Sequence, residues 1–289
     1  MKAMILASGE CRRLRPLTCD VPKPMLDLCG RPLIAYLIDL LRLHGVREIA
    51  VNLHHRPQVI RSYLGDGSRF GVRMVYSRED VLLGSAGAVK KLDRFFDDTF
   101  FVLCGDVLTD IDLSAFAAFH RRQGADLTLA LCRTDEPERC GIAEVDDQGT
   151  VRRFLERPAP EQVFSHWANA GVYAVEPSVL SLIPEDSFFD FGTHVVPLLL
   201  REQAVVGGYV HPAYFLDIDS PERYQQAQRD LALGRLRSAV RPASIQPDPA
   251  SQIVGDREDV ACSSAPEDQL RRRRHRQGGV LRVVWRDGG

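Results

Sequence analysis

Residues 3–26 read AMILASGECRRLRPLTCDVPKPML. An apolar run, Ala3–Ala7, leads to a small-residue turn at Ser8 and Gly9. Arg12, Arg13 and Arg15 follow, and then Lys23 between Pro22 and Pro24. A buried strand that ends in such a turn lets backbone N–H groups come close to an anion. Guanidinium groups are planar forks matched to phosphate oxygens. A proline on each side restricts the backbone around Lys23, so its ammonium is aimed rather than left to wander. Strand, turn, arginines and braced lysine in this order predict a phosphate cradle at the end of a first core strand.

Outward from this stretch, β-type runs alternate with helical patterns. Strands are expected at Ala3–Ala7, Glu48–Leu53, Val72–Tyr76 and Phe100–Leu103, with helices at Pro32–His44, Pro57–Leu64, Ser85–Leu92 and Leu113–Gln123. In the first helix Leu33, Ile34, Leu37, Ile38, Leu40 and Leu41 recur at helical spacing, and Pro32 suits its first turn. Strands separated by helices imply a parallel sheet covered on both faces, with ligands at the carboxyl ends of the strands. The second half is richer in β-structure. Strands are expected at Asp126–Cys132, Ile142–Val145, Val151–Glu156, Asn169–Val175 and Ala204–Tyr209, and helices at Pro177–Leu182, Thr193–Glu202 and Pro221–Leu233.

A chain of 289 residues, 45% hydrophobic and 26% charged, has the composition of an ordinary globular protein. A net charge of -2 gives no reason to expect nucleic-acid binding. No apolar run approaches the ~20 residues of a membrane span, and the start reads as a core strand rather than a secretory signal. Seven cysteines without a CxxC pair suggest neither a disulfide framework nor a zinc ribbon. These features predict a cytoplasmic protein. Composition shifts near Arg237, dividing the chain into residues 1–236 and a Pro-, Ser- and Arg-rich tail over residues 237–289. That tail is expected to be poorly ordered or the truncated start of a β-helix, faintly suggested at Ala243–Ile245 and Ile253–Gly255. Its Arg271–Arg274 run reads as a solvated cluster.

Two carboxylates stand at strand ends. Phe100–Asp112 reads FFVLCGDVLTDID, which puts Asp106 at the carboxyl edge of the sheet; Asp110 and Asp112 read as turn and helix-cap residues. Tyr214–Glu222 reads YFLDIDSPE, with Ser220 as the cap and Pro221 as the first residue of a helix. Further along, LGSAGAVK (Leu83–Lys90), Cys140-Gly141-Ile142, VRRFLERP (Val151–Pro158) and NAGVY (Asn169–Tyr173) carry small and polar residues at the edges of expected elements.

Taken in order, these motifs resemble the sugar-1-phosphate nucleotidylyltransferases, whose signature is LAAGxGTRLRPLT followed by PKPM. Leu6, Ala7, Gly9, Arg13 and Lys23 match, whereas Cys11 and Arg12 stand where the family carries glycine and threonine. The resemblance runs from about Lys2 to Leu233. It implies a Rossmann-like mixed, mostly parallel sheet flanked by helices, the nucleotide-diphospho-sugar transferase fold, with a short C-terminal tail. It implies catalytic roles for Arg13, Lys23 and Asp106, and a Mg²⁺ held by Asp106 and Asp217. Nucleotide binding falls to Leu6, Ala7, Gly9, Arg12, Gly84 and Gly87, and sugar-phosphate binding to Gly141, Glu156, Arg157 and Asn169. Arg157 replaces a lysine of the family, and Asp219 a glycine; Asp219 either tightens metal binding or, the favoured reading, is a turn residue. Asp190-Phe191-Gly192 reads as a structural helix start, and His54, His55, His166 and His194 as packing or surface residues. The implied reaction joins an NTP to a sugar-1-phosphate, giving an NDP-sugar and pyrophosphate. The stretch VNLHHRPQVIRSYLGDGSRFGVRMVYS (51–77) is most similar to the mannose-1-phosphate guanylyltransferases, which makes GTP and mannose-1-phosphate the expected partners. Thymidylyl or uridylyl transfer to glucose-1-phosphate, uridylyl transfer to N-acetylmuramate-1-phosphate, and a non-catalytic nucleotide-sugar-binding subunit are the alternatives. Oligomeric state is left open by the sequence, a homo-oligomer included.

Overall fold

The structure, a computed structural model, describes residues 1–9 and 12–236. The expected tail, with its β-helix and Arg271–Arg274 readings, lies outside the described residues. β1 (Ala3–Leu6) leads through a short ribbon, β2 (Asp27–Leu28) and β3 (Arg31–Pro32), into α1 (Leu33–Leu43) and β4 (Glu48–Leu53). Then follow α2 (Pro57–Leu64), β5 (Arg73–Arg78), α3 (Gly84–Lys90) and β6 (Phe100–Cys104). The rest comprises β7 (Val107–Thr109), α4 (Leu113–Gln123), β8 (Leu127–Arg133), β9 (Gly141–Val145), β10 (Val151–Glu156) and β11 (Trp167–Val175). After these come α5 (Val196–Arg201), β12 (Val206–Val210), β13 (Phe215–Asp217) and α6 (Pro221–Ala232).

The main sheet runs β10-β9-β11-β6-β1-β4-β5, with β8 bridging β11 and β12. It is parallel through β6-β1-β4-β5, as the strand–helix alternation requires, and β11 then runs antiparallel to β6, β8 and β9. The expected mixed sheet flanked by helices is therefore present. Alternation along β1 distributes its side chains: Ala3 and Ile5 join a core with α1, α2 and α4, whereas Met4 joins a core with α3 and α5. A strand covered on both faces has to be apolar throughout, and Ala3, Met4 and Ile5 are completely buried.

Some elements differ from expectation. Pro177–Leu182 is a 3-10 helix, and the helix expected from Thr193 begins as a π-turn, Phe191–Val195, before α5. The strand β7 was not anticipated, whereas β13 is the strand expected to lead to Asp217. They pair antiparallel, Asp217 opposite Val107, outside the main sheet. This ribbon rests on a third apolar cluster in which Leu108, Leu216 and Ile218 meet Leu14, Leu26 and Leu28 of the N-terminal segment and Ala227 and Leu231 of α6. Burial of that cluster fixes the Lys23 turn against the ribbon. Cys19 is disulfide-bonded, while Cys29, Cys104, Cys132 and Cys140 are free thiols.

Gly105 closes the junction between sheet and ribbon. Its N–H donates to the Leu6 carbonyl at 2.8 Å. A Cβ at this position would lie 2.5 Å from that same oxygen and 3.1 Å from Pro24 Cγ. The Gly105→Ala variant is expected to lose about 1–3 kcal/mol in urea unfolding, the typical cost of overpacking. Unchanged stability would show that the Leu6, Pro24 and Gly105 segments are not in tight contact.

Candidate active site

Lys23 opens a 3-10 turn, Lys23–Met25, entered from extended Pro22 and closed by the Leu26 N–H on the Lys23 carbonyl. The flanking prolines thus do what the sequence suggested, and the lysine side chain is only 8% exposed. Its ammonium donates to Asp106 Oδ2 at 2.8 Å and to Asp217 Oδ1 at 3.4 Å. Asp106 immediately precedes β7 and Asp217 ends β13, on opposite sides of the ribbon, and the Ile218 N–H donates to the Asp106 carbonyl at 3.0 Å. Residues 194 positions apart in sequence are therefore brought onto one ammonium.

The crowding has an electrostatic consequence. Burial, and then the adjacent Asp106 carboxylate, push the Asp217 pKa up to about 6, against the pull of Lys23. Among the described residues no group of three or more His, Cys, Asp or Glu side chains is arranged to hold a metal. Two hard carboxylate oxygens in mutual repulsion are nevertheless the protein's usual share for Mg²⁺, which takes its other ligands from phosphate and water. Asp106 and Asp217 fit that role.

A cleft of about 770 Å³ opens beside this cluster. Its wall includes Leu6, Ser8 and Gly9 of the first turn, Gly84 and Ser85 at the start of α3, Asp106, and Glu156, Arg157 and Asn169. The residues expected to bind nucleotide and those expected to bind sugar phosphate thus share one cavity. Gly141 sits behind the wall, paired with Glu156 across β9 and β10; a Cβ there would collide with the Glu156 carboxylate. Burial raises the Glu156 pKa above its ordinary value, although Arg157 opposes the shift. Arg157 has a φ of 48°, and its N–H donates to the Cys140 carbonyl. Asn169 is partly engaged: Oδ1 accepts from the Gly171 N–H at 3.1 Å, and Nδ2 donates to the Tyr173 hydroxyl at 2.8 Å.

Other expected residues stand differently. Ala7 is buried behind the wall. Gly87 lies off the cleft, where a Cβ would meet the Ser187 carbonyl at 2.5 Å, so its absent side chain serves the packing of α3. Arg12 opens the 3-10 turn Arg12–Leu14, but the role expected of its side chain falls outside the described residues, as does Cys11. Asp112 caps α4 through the Ser114 and Ala115 N–H groups, and Ser220 caps α6, as expected. Asp190 caps α3 by accepting from the Ser85 N–H and hydroxyl, a structural role.

Asp219 is not a simple turn residue. It is buried, and its Oδ2 accepts from Arg13 at 3.0 Å and from Arg139 at 2.8 Å. The sequence reading passed over a second network as well. Asn52 Oδ1 accepts from the Ala7 N–H at 2.7 Å, while Nδ2 donates to Ser8 Oγ and Glu79 Oε1. Glu79 Oε2 in turn accepts from the Leu83 N–H at 3.0 Å. Two buried side chains thereby tie the Ser8–Gly9 turn to the Leu83–Gly84 turn across the cleft. The available signal was a polar residue inside the apolar strand EIAVNL.

The family model for nucleotidyl transferases matches residues 2–233. The chain belongs to the nucleotidyl transferase family. It is 38% identical over 257 residues to a UTP–glucose-1-phosphate uridylyltransferase of Synechocystis, covering 84% of this chain and 66% of that protein. It is 33% identical over 237 residues to a mannose-1-phosphate guanylyltransferase of Mycobacterium tuberculosis, covering 80% of this chain and 65% of that protein. The chain thus spans about two thirds of the length of these relatives. The crystal structure of HddC from Yersinia pseudotuberculosis complexed with GMP-PN superimposes with a TM-score of 0.67 at 26% identity, covering 79% of this chain and 98% of that one. The nucleotidyl transferase signature read from residues 3–26 is borne out.

The upward shift of Asp217 makes its ionised form a burden on this fold when no cation is bound. A carboxyl with a raised folded-state pKa loses stability as pH rises from its ordinary value of 3.8 to about 6, then holds level. Without divalent cation, Asp217→Asn is expected to equal wild type near pH 4 and exceed it above pH 6. The gain is about 1–2 kcal/mol after allowance for solvent screening at this half-exposed group. Thermal unfolding across pH in EDTA measures it, and a variant less stable than wild type at pH 7 contradicts the arrangement.

Proposed function

We propose that this chain transfers a nucleotidyl group from an NTP to a sugar-1-phosphate, releasing pyrophosphate and an NDP-sugar. The observation that carries the reading is the Lys23 ammonium on both Asp106 and Asp217, at the edge of a cleft lined by Ser8 and Gly9 as well as Glu156, Arg157 and Asn169. A sugar phosphate oxygen is already anionic at neutral pH, so the reaction needs no general base. Catalysis then rests on positioning and charge neutralisation. Lys23 stabilises charge on the α-phosphate, Arg13 steers the departing pyrophosphate, and Arg157 fixes the attacking phosphate. Glu156 and Asn169 take the sugar hydroxyls; the Asn169 amide keeps one N–H and one lone pair beyond its internal bonds. Asp106 and Asp217 would hold Mg²⁺, which would supply positive charge to offset that of the triphosphate. Leu6, Gly9 and Gly84 contact the nucleotide, and the exposed Leu82 and Phe188 on the same wall offer a flat base apolar surface.

For the substrates, we favour GTP and mannose-1-phosphate, in keeping with the guanylyltransferase relative and with the GMP-PN complex of HddC. The uridylyltransferase relative supports a second reading, UTP with glucose-1-phosphate. Under either reading we propose a cytoplasmic protein with small-molecule partners.

Pyrophosphate release with Mg²⁺, each NTP and a panel of sugar-1-phosphates tests the reading. Release with GTP and mannose-1-phosphate above all other pairs is expected. Silence with every pair, together with saturable nucleotide-sugar binding, would favour a regulatory subunit instead. Lys23→Ala is expected to lower kcat by about 10²–10³-fold, the usual effect of removing one preorganised donor. Turnover near wild type in that variant refutes the role given to Lys23.

A further inference from the structure

Asp219 stands two residues beyond Asp217, where the family signature has glycine. Its side chain is 9% exposed and sits among three arginines from three separate segments. Arg13 comes from the turn after β1, Arg139 from the 3-10 turn just before Cys140 and Gly141, and Arg223 from the first turn of α6. One oxygen, Oδ2, accepts from both Arg13 Nη1 and Arg139 Nη2. The other, Oδ1, lies 3.5 Å from Arg223 Nε. Glu136 completes a ring by accepting from Arg139 Nη1 at 3.1 Å and Arg223 Nη2 at 2.8 Å.

Two guanidinium groups repel each other, and only an anion between them keeps them side by side. A shared carboxylate oxygen does so here for Arg13 and Arg139. Three guanidinium groups against two carboxylates leave the ring one positive charge in excess. Asp219 is buried, whereas the Arg13 and Arg139 side chains are 66% and 46% exposed, so the anchor is covered while both arginines reach solvent. Paired guanidinium forks are suited to a polyanion with several adjacent oxygens.

We infer that Asp219 is a positioning residue that sets Arg13 and Arg139 as a two-guanidinium clamp for the pyrophosphate moiety of the NTP. Arg139 thereby becomes a further substrate-binding residue. The inference rests on the nucleotidyl-transfer reading above and deepens it. The same arginines offset the charge of Asp219, which adds to the repulsion felt by Asp217.

The test is calorimetric titration of the full-length chain with inorganic pyrophosphate and Mg²⁺, alongside initial rates for the NTP and sugar phosphate that wild type uses. Arg139→Ala is expected to weaken pyrophosphate binding tenfold or more and to raise the KM for NTP similarly, with the KM for sugar phosphate within twofold of wild type. Arg139→Lys is expected to recover only part of that affinity, because an ammonium lacks the planar fork. Asp219→Ala is expected to weaken pyrophosphate binding as well, and combining it with Arg139→Ala to add little, since the two act as a unit. Asp219→Asn, which keeps the size and one acceptor oxygen, provides the same readout if the alanine variant does not fold. A folded Arg139→Ala protein that binds pyrophosphate within twofold of wild type overturns the clamp. Wild type that turns over no NTP and sugar phosphate pair overturns the underlying reading instead, so the two failures are distinct.

Discussion

The Lys23 ammonium shared by Asp106 and Asp217 is the interaction on which the rest of the architecture converges. A buried lysine needs compensating charge, and two neighbouring carboxylates need a cation. Each side resolves the other's problem, and the trio still carries one negative charge in excess. That excess suits a site whose second cation arrives with a triphosphate. The apolar cluster under the β7–β13 ribbon, the close contact at Gly105 and the two prolines around Lys23 all hold this geometry in place.

Around that centre the sheet provides two walls of different chemistry. The turn after β1 and the start of α3 present backbone and small residues, braced from behind by Asn52 and Glu79. The β9–β10–β11 side presents Glu156, Arg157 and Asn169, with glycine behind the glutamate to make room for its carboxylate. The Asn52–Glu79 network is buried and hydrogen-bonded, the kind that fixes a unique arrangement when its partners are satisfied. That wall therefore has the rigidity that catalysis by positioning demands, whereas Arg157 on the other wall is exposed.

Much of this was legible in the chain. Apolar alternation with helices disclosed the parallel half of the sheet, because fully covered strands read as continuous apolar runs. Pro22-Lys23-Pro24 and the strand-end Asp106 disclosed the cradle, because their neighbours constrain them locally. What stayed hidden depends on long-range pairing. The ribbon strand β7 is three residues long, too short for any periodicity, and its pairing with β13, the strand read as leading to Asp217, spans about a hundred residues. Asp219 looked like a turn residue because its arginines are distant in sequence, and Asn52 looked like a strand residue because its partners lie on other turns. Gly87 matched a binding motif yet serves helix packing, since motif matching sees the residue and not the neighbour.

The central claim is that Asp106 and Asp217 hold the cation of the same triphosphate that Lys23 contacts. Anomalous diffraction from crystals grown with Mn²⁺ and a non-hydrolysable NTP analogue examines it directly. The account predicts an anomalous peak bonded to carboxylate oxygens of both aspartates and to phosphate, with the Lys23 ammonium against the same phosphates. A cation held elsewhere, or a triphosphate seated away from Lys23, contradicts it.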